Sequence, residues 1–323
     1  MTLQDYTHLF LDFLQENSNN KEPKNLYKPV DYILQLGGKR LRPLLTLISA
    51  DAFGTEAKKA LHAALAVEVF HNFTLLHDDI MDQAPIRRGK PTVHEKWDIN
   101  TGILSGDVML INSYQYLEKY KAKTYKKLTA IFSQTAVEVC EGQQYDMDFE
   151  TRNDINLSQY MKMIKYKTSV LVAAALQMGA IIAKAAQKEQ KEIYNFGISL
   201  GLAFQLQDDY LDSFGNVATF GKKIGGDILE NKKTWLYIKA LETASKSDQV
   251  ILQSIYNQKA VSESDKIEKV KKLFKKYKID KLIKKEIKSY SNKALLQLES
   301  MELKEKPKAI LKDLVYSLEK RNT

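Results

Sequence analysis

The sequence predicts an all-α protein, and three observations carry this prediction. None of the 215 residues between Pro91 and Pro307 is proline, and no glycine follows Gly226. These stretches are rich in Ala, Leu, Lys, Glu and Gln, which favour long helices. Alternating runs of Val, Ile and Thr between turn pairs, the pattern of strands, are nearly absent. Because no linker or repeat divides the chain, we predict one domain over residues 1–323, with a lysine-rich helical part from about residue 259.

The composition is typical of a globular protein in a reducing compartment, with 44% apolar and 28% charged residues. Cys140 is the only cysteine in the sequence, which excludes an internal disulfide and fits the cytoplasm; we expect it in the core. No window approaches about eighteen uncharged apolar residues, so we expect no stable membrane insertion. Asp5, Asp12 and Glu16 interrupt the apolar positions of the N-terminus, which predicts an amphipathic helix and not a signal peptide.

The net charge of +9 comes from the C-terminal part, where residues 259–323 hold 19 basic and 10 acidic residues. Apolar residues recur among these lysines at helical spacing, namely Ile267, Val270, Phe274, Tyr277, Ile283 and Ile287. This pattern predicts solvated lysine faces over a buried apolar stripe. Binding of a polyanion or membrane surface is the alternative. Since Phe274 and Tyr277 are the only aromatics interleaved with the lysines of residues 259–288, we expect no nucleic-acid partner.

Two DDxxD motifs, DDIMD at 78–82 and DDYLD at 208–212, each close an apolar helical run. Within each motif the first and last aspartates stand at i and i+4, on one helix face. One such motif is often only a solvated helix end. Two copies at C-terminal helix ends, where the helix dipole disfavours negative charge, indicate that bound cations offset the repulsion. Mg²⁺ suits this role, because it takes few carboxylates and fills its shell with water and substrate phosphate.

Basic residues supply the complementary charge. GGKRLRP at 37–43 places three cations before a helix, and Arg87-Arg88-Gly89 follows the first motif. Residues 221–223 (GKK) and 231–233 (NKK) follow the second. Arginine forks match phosphate oxygens, and helix N-termini add N–H groups. Together these segments predict two bound diphosphates, one clamped by metal and one held by side chains alone.

With GQQYD at 142–146, Lys167-Thr168 and FQLQDDYLD at 204–212, these motifs resemble the trans-isoprenyl diphosphate synthases, the relatives of farnesyl and geranylgeranyl diphosphate synthase. The resemblance runs in order from Gly37 to about Lys233. It implies a bundle of long antiparallel helices around a deep central cavity, and a homodimer. It also implies Mg²⁺-dependent head-to-tail (1′-4) condensation of isopentenyl diphosphate with allylic diphosphates, releasing pyrophosphate.

The resemblance implies that aspartates hold three Mg²⁺ ions per active site. Asp78 and Asp82 would ligate two ions on the allylic diphosphate, and Asp208 the third. Three further aspartates would act through water or from behind these ligands, namely Asp79, Asp209 and Asp212.

The resemblance also assigns the substrate contacts. The allylic diphosphate would be held by Arg87, Lys167 and Lys223. Isopentenyl diphosphate would be held by Lys39, Arg42, His71 and Arg88. Thr168 and Gln205 would lie beside the reacting carbon and stabilise the cation. The positions that line the cavity without a sharper role are Gln143, Asp146 and Lys232.

Product length is expected to depend on Phe73 and Phe70, five and eight residues before Asp78. Helical rise places them ~7 and ~12 Å below that aspartate. Both are otherwise ordinary core aromatics. In the resembling family, an aromatic at the position of Phe73 followed by a small residue such as Thr74 is typical of geranylgeranyl diphosphate synthases. We therefore expect the C20 product, with C15 as the alternative.

Two other functions fit parts of the sequence. A class I terpene cyclase also uses DDxxD, but its second metal motif contains Asn or Asp, Ser or Thr, and Glu, and it needs no isopentenyl diphosphate site. A non-catalytic subunit of a heteromeric synthase usually lacks one or both aspartate motifs. This chain has both motifs together with Lys39, Arg42 and Arg88, which favours the condensing enzyme.

Overall fold

The computed structural model describes residues 1–17, 21–216, 224–257 and 262–320, and within them the chain is almost entirely helical. The helices are Leu3–Glu16 (α1), Lys24–Gln35 (α2), Leu41–Ala52 (α3), Leu61–Met81 (α4), Val93–Lys96 (α5), Ile99–Leu117 (α6), Ala122–Thr151 (α7), Leu157–Ile164 (α8), Val170–Ile182 (α9), Gln187–Phe214 (α10), Gly226–Leu229 (α11), Trp235–Thr243 (α12), Lys246–Asn257 (α13), Glu263–Lys276 (α14), Ile279–Glu299 (α15) and Glu305–Lys320 (α16). A 3₁₀ turn at Ala57–Ala60 precedes α4. The predicted all-α class is confirmed.

The described strands form one short hairpin after the first aspartate motif. Ile86–Arg87 (β1) pairs antiparallel with Lys90–Pro91 (β2), with Arg87 opposite Lys90. At its turn Arg88 and Gly89 both adopt positive φ, 52° and 73°. The hairpin therefore projects two adjacent arginines from a rigid turn.

The chain divides into two compact units. The first comprises Met1–Gln134, Ala174–Ile193 and Glu302–Ile310. The second comprises Thr135–Ala173, Tyr194–Met301 and Leu311–Thr323. The first unit contains the first aspartate motif and the second unit contains the second motif. The expectation of a single domain stays a prediction.

In the first unit, helix α4 is apolar on nearly every face from Leu61 to Phe73 and is buried accordingly. Two glycines of α6 allow this helix to approach the C-terminal end of α4 closely. A Cβ on Gly102 would stand 2.8 Å from Ile80 Cδ1, and one on Gly106 would stand 2.1 Å from His77 Nε2. These contacts fix the part of α4 that leads into the first aspartate motif.

In the second unit, helices α12 to α15 pack around a core of aromatic and aliphatic side chains. The predicted stripe of the lysine-rich part lies in this core: Val270, Phe274, Ile283 and Ile287 are buried. Ile267 and Tyr277 pack against it and are partly buried. The predicted buried stripe is confirmed, whereas Lys266 on the same part of the chain is buried and not solvated.

Cys140 was expected in the core, but its side chain is exposed on α7. The buried positions of this stretch are Thr135, Val139 and Gly142, which follow helical spacing. Cys140 is one residue past Val139, so it turns about 100° away from that face. Among the described residues, none of the helices combines the length and apolar character that crossing a bilayer requires.

Candidate active site

The first aspartate motif lies where α4 ends, as predicted. Asp78 is half-buried, Asp79 is buried and Asp82 is exposed just beyond the last helical residue. The backbone N–H of Asp82 donates to the Asp78 carbonyl oxygen at 2.9 Å, so the two residues are one helical turn apart. Carboxylates at this negative end of the helix dipole are disfavoured unless positive charge joins them.

Asp79 differs from its neighbours because both of its oxygens contact Arg87. Arg87 Nε donates to Oδ2 and Nη2 donates to Oδ1, each at 2.7 Å. Only 3% of Asp79 is exposed. Burial raises the pKa of this carboxyl, although Arg87 opposes the shift. Asp79 thus fixes the orientation of the Arg87 guanidinium, and no sequence pattern indicated this pairing.

Arg42 and His71 form the centre of a cationic cluster in the same unit. Arg42 Nη1 lies 3.1 Å from His71 Nε2. Because arginine only donates, Nε2 must accept, and the imidazole proton is on Nδ1. Burial, followed by the charges of Arg42, Arg88, Arg87 and Arg40, lowers the pKa of His71 well below its ordinary value. A neutral histidine among four guanidinium groups is suited to binding an anion.

Arg88 is fixed against the glycine pair at 37–38. It donates to the Gly37 carbonyl, and its guanidinium carbon lies 2.8 Å from where a Cβ on Gly38 would stand. Gly38 has φ +112°, a conformation that side chains rarely adopt. Lys39 follows with an exposed side chain. The glycines therefore bring Arg88 next to the basic segment.

Arg40 is the cation of this segment whose place the sequence did not indicate. It is 7% exposed, has φ 48°, and pairs with Glu68 at 2.5 Å and with the Leu34 carbonyl. Glu68 was the available signal: an acidic residue in the middle of an apolar helix needs a buried partner. Arg40 therefore has a structural role.

In the second unit, Lys167 and Thr168 lie in a π-helical turn, Lys165–Ser169, that joins α8 to α9. Single π-helical turns inside α-helices are frequent at functional sites. Two glycines on neighbouring helices leave the space that this turn occupies. A Cβ on Gly142 of α7 would stand 2.2 Å from the Lys167 backbone nitrogen, and one on Gly201 of α10 would stand 2.6 Å from Ser169 Cα. Any larger residue would displace the backbone at the predicted site.

A hydrogen-bond chain links this turn to the second aspartate motif. The Thr168 hydroxyl donates to Gln205 Oε1 at 3.1 Å, and Gln205 Nε2 donates to Asp209 Oδ1 at 3.2 Å. The Tyr160 hydroxyl donates to Asp209 Oδ2. Burial and the charge of Asp227 raise the pKa of Asp209 well above its ordinary value, while Tyr160 and Gln205 oppose that shift. The sequence predicted Thr168, Gln205 and Asp209 but not Tyr160.

The predicted lysines of this unit also have acidic partners. Lys167 Nζ contacts Asp146 Oδ2 at 2.6 Å, and Lys232 Nζ contacts Glu230 at 2.9 Å. Burial opposes the charge of Lys232, but Glu230, Asp227 and Asp146 outweigh it and raise its pKa. Lys223 lies outside the described residues. A cavity of about 130 Å³ is lined by side chains that include Asp146, Tyr160, Lys167, Thr168, Gln205, Asp209, Asp227 and Lys232.

Asp227 is an acidic residue that the sequence interpretation missed, although it lies four residues after the GKK segment at 221–223. Its backbone N–H donates to Asp212 Oδ2 at 3.1 Å. Burial and the charge of Asp227 raise the pKa of Asp212 to about 7. Asp208 is half-buried beside these carboxylates on α10. Negative charge therefore accumulates at this end of α10, which a divalent cation would neutralise.

These residues fit Mg²⁺ only with help from a substrate. Within the described parts of the chain, no three His, Cys, Asp or Glu side chains are arranged to hold a metal ion by themselves. Mg²⁺ is commonly bound by one or two carboxylates plus substrate phosphates and water. The i, i+4 pair at Asp78 and Asp82 and the carboxylates around Asp212 match that donor set.

The aromatics expected to control product length pack in tilted and edge-on contacts along α4. The Phe70 and Phe73 ring centroids are 5.5 Å apart, and Phe73 also contacts the His77 ring at 4.8 Å. Phe132 of α7 packs on Phe70 at 5.2 Å. Thr74 is half-buried and donates to the His71 carbonyl at 2.8 Å. A cluster of contacting aromatic rings is thus present in the first unit. Its effect on product length stays a prediction.

Known proteins resemble this chain over most of its length. The polyprenyl synthetase family profile matches residues 23–275. The chain is 39% identical to geranylgeranyl pyrophosphate synthase from Geoglobus acetivorans over 274 residues, covering 84% of each protein. It is 42% identical to geranylgeranyl diphosphate synthase from Methanosarcina mazei over 228 residues, covering 70% of each. A solved geranylgeranyl pyrophosphate synthase, 52% identical, superposes with a TM-score of 0.95 over 100% of both chains.

These similarities identify the chain as a prenyltransferase. It belongs to the polyprenyl synthetase family, and the predicted resemblance is confirmed.

Proposed function

We propose that the protein condenses isopentenyl diphosphate with dimethylallyl, geranyl and farnesyl diphosphate, and that its main product is geranylgeranyl diphosphate. The observation that carries this proposal is the cluster around His71. Arg42 contacts His71, Arg88 is held against Gly37 of the same basic segment, and together these side chains offer donors to a diphosphate without metal. A terpene cyclase, which ionises a single metal-bound diphosphate, has no use for such a second site.

The residues of the first unit divide between two substrates. Arg42, His71, Arg88 and Lys39 bind isopentenyl diphosphate, with the His71 Nδ1–H as a neutral donor. Arg87, oriented by Asp79, contacts the allylic diphosphate. Asp78 and Asp82 would hold Mg²⁺, with Asp208 for a third ion. When bound, these ions neutralise the charge that develops on the departing pyrophosphate.

The residues of the second unit act on the reacting carbon. Lys167, oriented by Asp146, and Lys223 neutralise the leaving group. Thr168 and Gln205 direct oxygen dipoles at the allylic cation. The carbon–carbon double bond of isopentenyl diphosphate attacks this cation, and the proton lost afterwards goes to pyrophosphate. Lys232 lines the cavity of this unit, whereas Gln143, which the resemblance assigns to a cavity wall, is not among the side chains around it. Apolar walls exclude the water that would otherwise quench the cation.

The C20 product is supported by relatives named geranylgeranyl diphosphate synthases, at 39% and 42% identity. It is also supported by the aromatic pair Phe73 and Phe70, next to the small Thr74. The alternative is farnesyl diphosphate.

We further propose a homodimer in the cytoplasm. Helix α6 exposes four apolar side chains, and burial against a second copy would remove them from water. They are Ile99 (54% exposed), Ile103 (42%), Leu104 (60%) and Ile111 (56%). Sedimentation should give a dimer mass for the wild type and a monomer mass for Leu104→Glu/Ile111→Glu, and fractionation should place the protein in the cytosol.

The deciding experiment incubates the protein with labelled isopentenyl diphosphate, Mg²⁺ and each of the three primers, and reads product length by chromatography. We expect a C20 product that disappears on chelation and in Asp78→Ala, whose leaving group loses its clamp. A hydrocarbon formed without isopentenyl diphosphate would instead identify a cyclase. Absence of any product would identify a non-catalytic subunit.

A further inference from the structure

We propose that Tyr160 and Asp209 are positioning residues that set the direction of the hydrogen bonds reaching Thr168, so that the Thr168 hydroxyl presents lone pairs to the allylic cation. This inference rests on the proposed function, which places Thr168 and Gln205 beside the reacting carbon. It departs from the expectation that Asp209 supports the metal ions.

The first step concerns the surroundings of Asp209. Its side chain is 3% exposed, and its two oxygens accept from two different donors, Tyr160 and Gln205. Both oxygens are therefore already engaged by donors of the protein itself. Asp208, the preceding residue on α10, is half-buried and about 100° away around the helix. The neighbouring aspartates therefore differ in function.

The second step concerns polarity. In the structure both oxygens of Asp209 accept, Oδ2 from Tyr160 and Oδ1 from Gln205. The Gln205 side chain must then turn its NH₂ group toward Asp209 and its carbonyl oxygen toward Thr168. Because that oxygen also only accepts, the single hydrogen of the Thr168 hydroxyl is committed to it, at 3.1 Å. Both lone pairs of Thr168 Oγ1 remain for the cavity, which is the polarity that a carbocation requires.

The third step concerns Tyr160. Its side chain is 3% exposed and lines the same cavity. It lies in the first turn of α8, where Asn156 and Gln159 form a capping box that fixes the backbone. Burial and the charge of Asp209 raise the pKa of Tyr160 well above its ordinary value, so it keeps its proton and donates. Tyr160 thereby occupies Oδ2 and leaves Oδ1 to Gln205.

Loss of the Tyr160 hydroxyl would leave Oδ2 of Asp209 without this donor. The Gln205 amide could then bond either oxygen, or rotate and offer its NH₂ group to Thr168. In the rotated state the Thr168 hydrogen points into the cavity and opposes the cation. The binding groups for both diphosphates are untouched, so the loss falls on turnover and not on affinity.

The test compares Tyr160→Phe with Tyr237→Phe. Tyr237 is also 3% exposed and belongs to the core of the same unit, but the proposed mechanism does not use it. For Tyr160→Phe we expect kcat to fall by about 10–100-fold, the usual effect of losing a partner that orients a catalytic group. KM for both substrates and the circular dichroism spectrum should be unchanged. Tyr237→Phe should retain wild-type kcat.

A double-mutant cycle distinguishes positioning from general support of the structure. Because Tyr160 acts through Gln205, Tyr160→Phe should cost nothing further in a Gln205→Leu background, measured as single-turnover rates. Asp209→Asn, which can donate as well as accept, should lower kcat at least as much as Tyr160→Phe. It also serves as the test if Tyr160→Phe does not fold.

Additive effects in the cycle, a rise in KM without a fall in kcat, or wild-type turnover in Asp209→Asn would overturn the inference while the wild type remains active. A wild type that forms no product from isopentenyl diphosphate and any primer would instead overturn the proposed function.

Discussion

Arg40 and Arg42 are two residues apart and have opposite surroundings. Arg40 is buried against Glu68, whereas Arg42 contacts His71 in the cationic cluster. Arg40→Met should leave Glu68 buried without its charge partner and destabilise the protein by about 3–5 kcal/mol. Arg42→Ala should keep the melting temperature close to wild type and raise KM for isopentenyl diphosphate, because a diphosphate contact is lost. Thermal melting and steady-state kinetics on both variants check this contrast.

Each arginine variant is the other's control. If Arg42→Ala changed only the KM of the allylic substrate, the two diphosphate sites would be assigned the wrong way round. If Arg40→Met melted like the wild type, its pair with Glu68 would contribute little to stability.

His71 should make stability depend on pH. Its native pKa is depressed, so below about pH 6.5 the unfolded chain binds a proton that the native protein does not. Stability from this residue is therefore lost as pH falls, by up to ~1.4 kcal/mol per pH unit. The raised pKa values of Asp79, Asp209 and Asp212 have the opposite effect, because the stability they contribute increases as pH falls. This effect is the same in the wild type and in a variant that lacks His71.

The difference between wild type and His71→Gln thus isolates the histidine. Melting temperatures measured from pH 7.5 to 5.5 should fall more steeply for the wild type than for the variant. Parallel curves would mean that the pKa of His71 is not depressed in the native protein.

At the scale of one helix, the aromatic stripe of α4 should limit product length. Phe73→Ala should extend the main product by at least one isoprene unit, because a ring that blocks the growing chain is removed. Thr74→Phe should shorten it, since overpacking costs roughly 1–3 kcal/mol and a factor of ten in product ratio needs about 1.4 kcal/mol. Chromatography of the products is the measurement. Phe10→Leu, a buried aromatic of α1 in the same unit, is the control and should leave product length unchanged.

Helix α14 gives the lysine-rich part a specific role. Lys266 is 6% exposed, and its Nζ donates to Asn231 Oδ1 at 2.5 Å and to the Leu229 carbonyl at 3.5 Å. It thereby anchors the turn that carries Lys232, where Asn231 has φ 59°. Lys266→Met keeps the apolar part of the side chain but removes the hydrogen bonds that hold this turn.

We expect Lys266→Met to lower kcat/KM for the allylic substrate by up to about 100-fold, the effect of small displacements remote from the chemistry. Lys269→Met, an exposed lysine three residues along the same helix, should be neutral in the same assay. Equal activity of the two variants would mean that α14 only packs in the core and does not position the turn that carries Lys232.

The helices were largely predictable from the sequence, whereas several individual side chains were not. Breaker-free composition predicted the helices, and spacing alone placed both aspartate motifs at helix ends. Spacing did not distinguish Arg40 from Arg42, because a left-handed backbone at Arg40 turns one side chain inward. Tyr160 and Asp227 were missed because each depends on neighbours distant in sequence, whereas Cys140 lies off the buried face of α7 to which Val139 belongs. Periodicity reports which helix face is buried, not which polar groups meet there.

For the whole molecule, substrate-like ligands should raise the unfolding temperature by mass action. At a concentration of 100 Kd, pyrophosphate with Mg²⁺ would stabilise the native state by about 2.7 kcal/mol. A shift of several degrees follows, because roughly 2–4 °C accompanies each kcal/mol in proteins of 150–250 residues. Asp78→Asn should reduce the shift, and EDTA should reduce it to that of pyrophosphate alone. A shift that is insensitive to EDTA would contradict a metal-clamped diphosphate.

The π-helical turn at Lys165–Ser169 also bears on how such a protein diverges. A single π turn is one extra residue accommodated within a continuous helix. Deleting one codon here would restore regular α-helix, so α8 and α9 could keep their partners and the chain would still fold. Lys167 and Thr168, however, would be rotated out of register with Asp146 and Gln205. Gene duplication followed by this one deletion would therefore convert an enzyme into an inert paralogue that retains the fold.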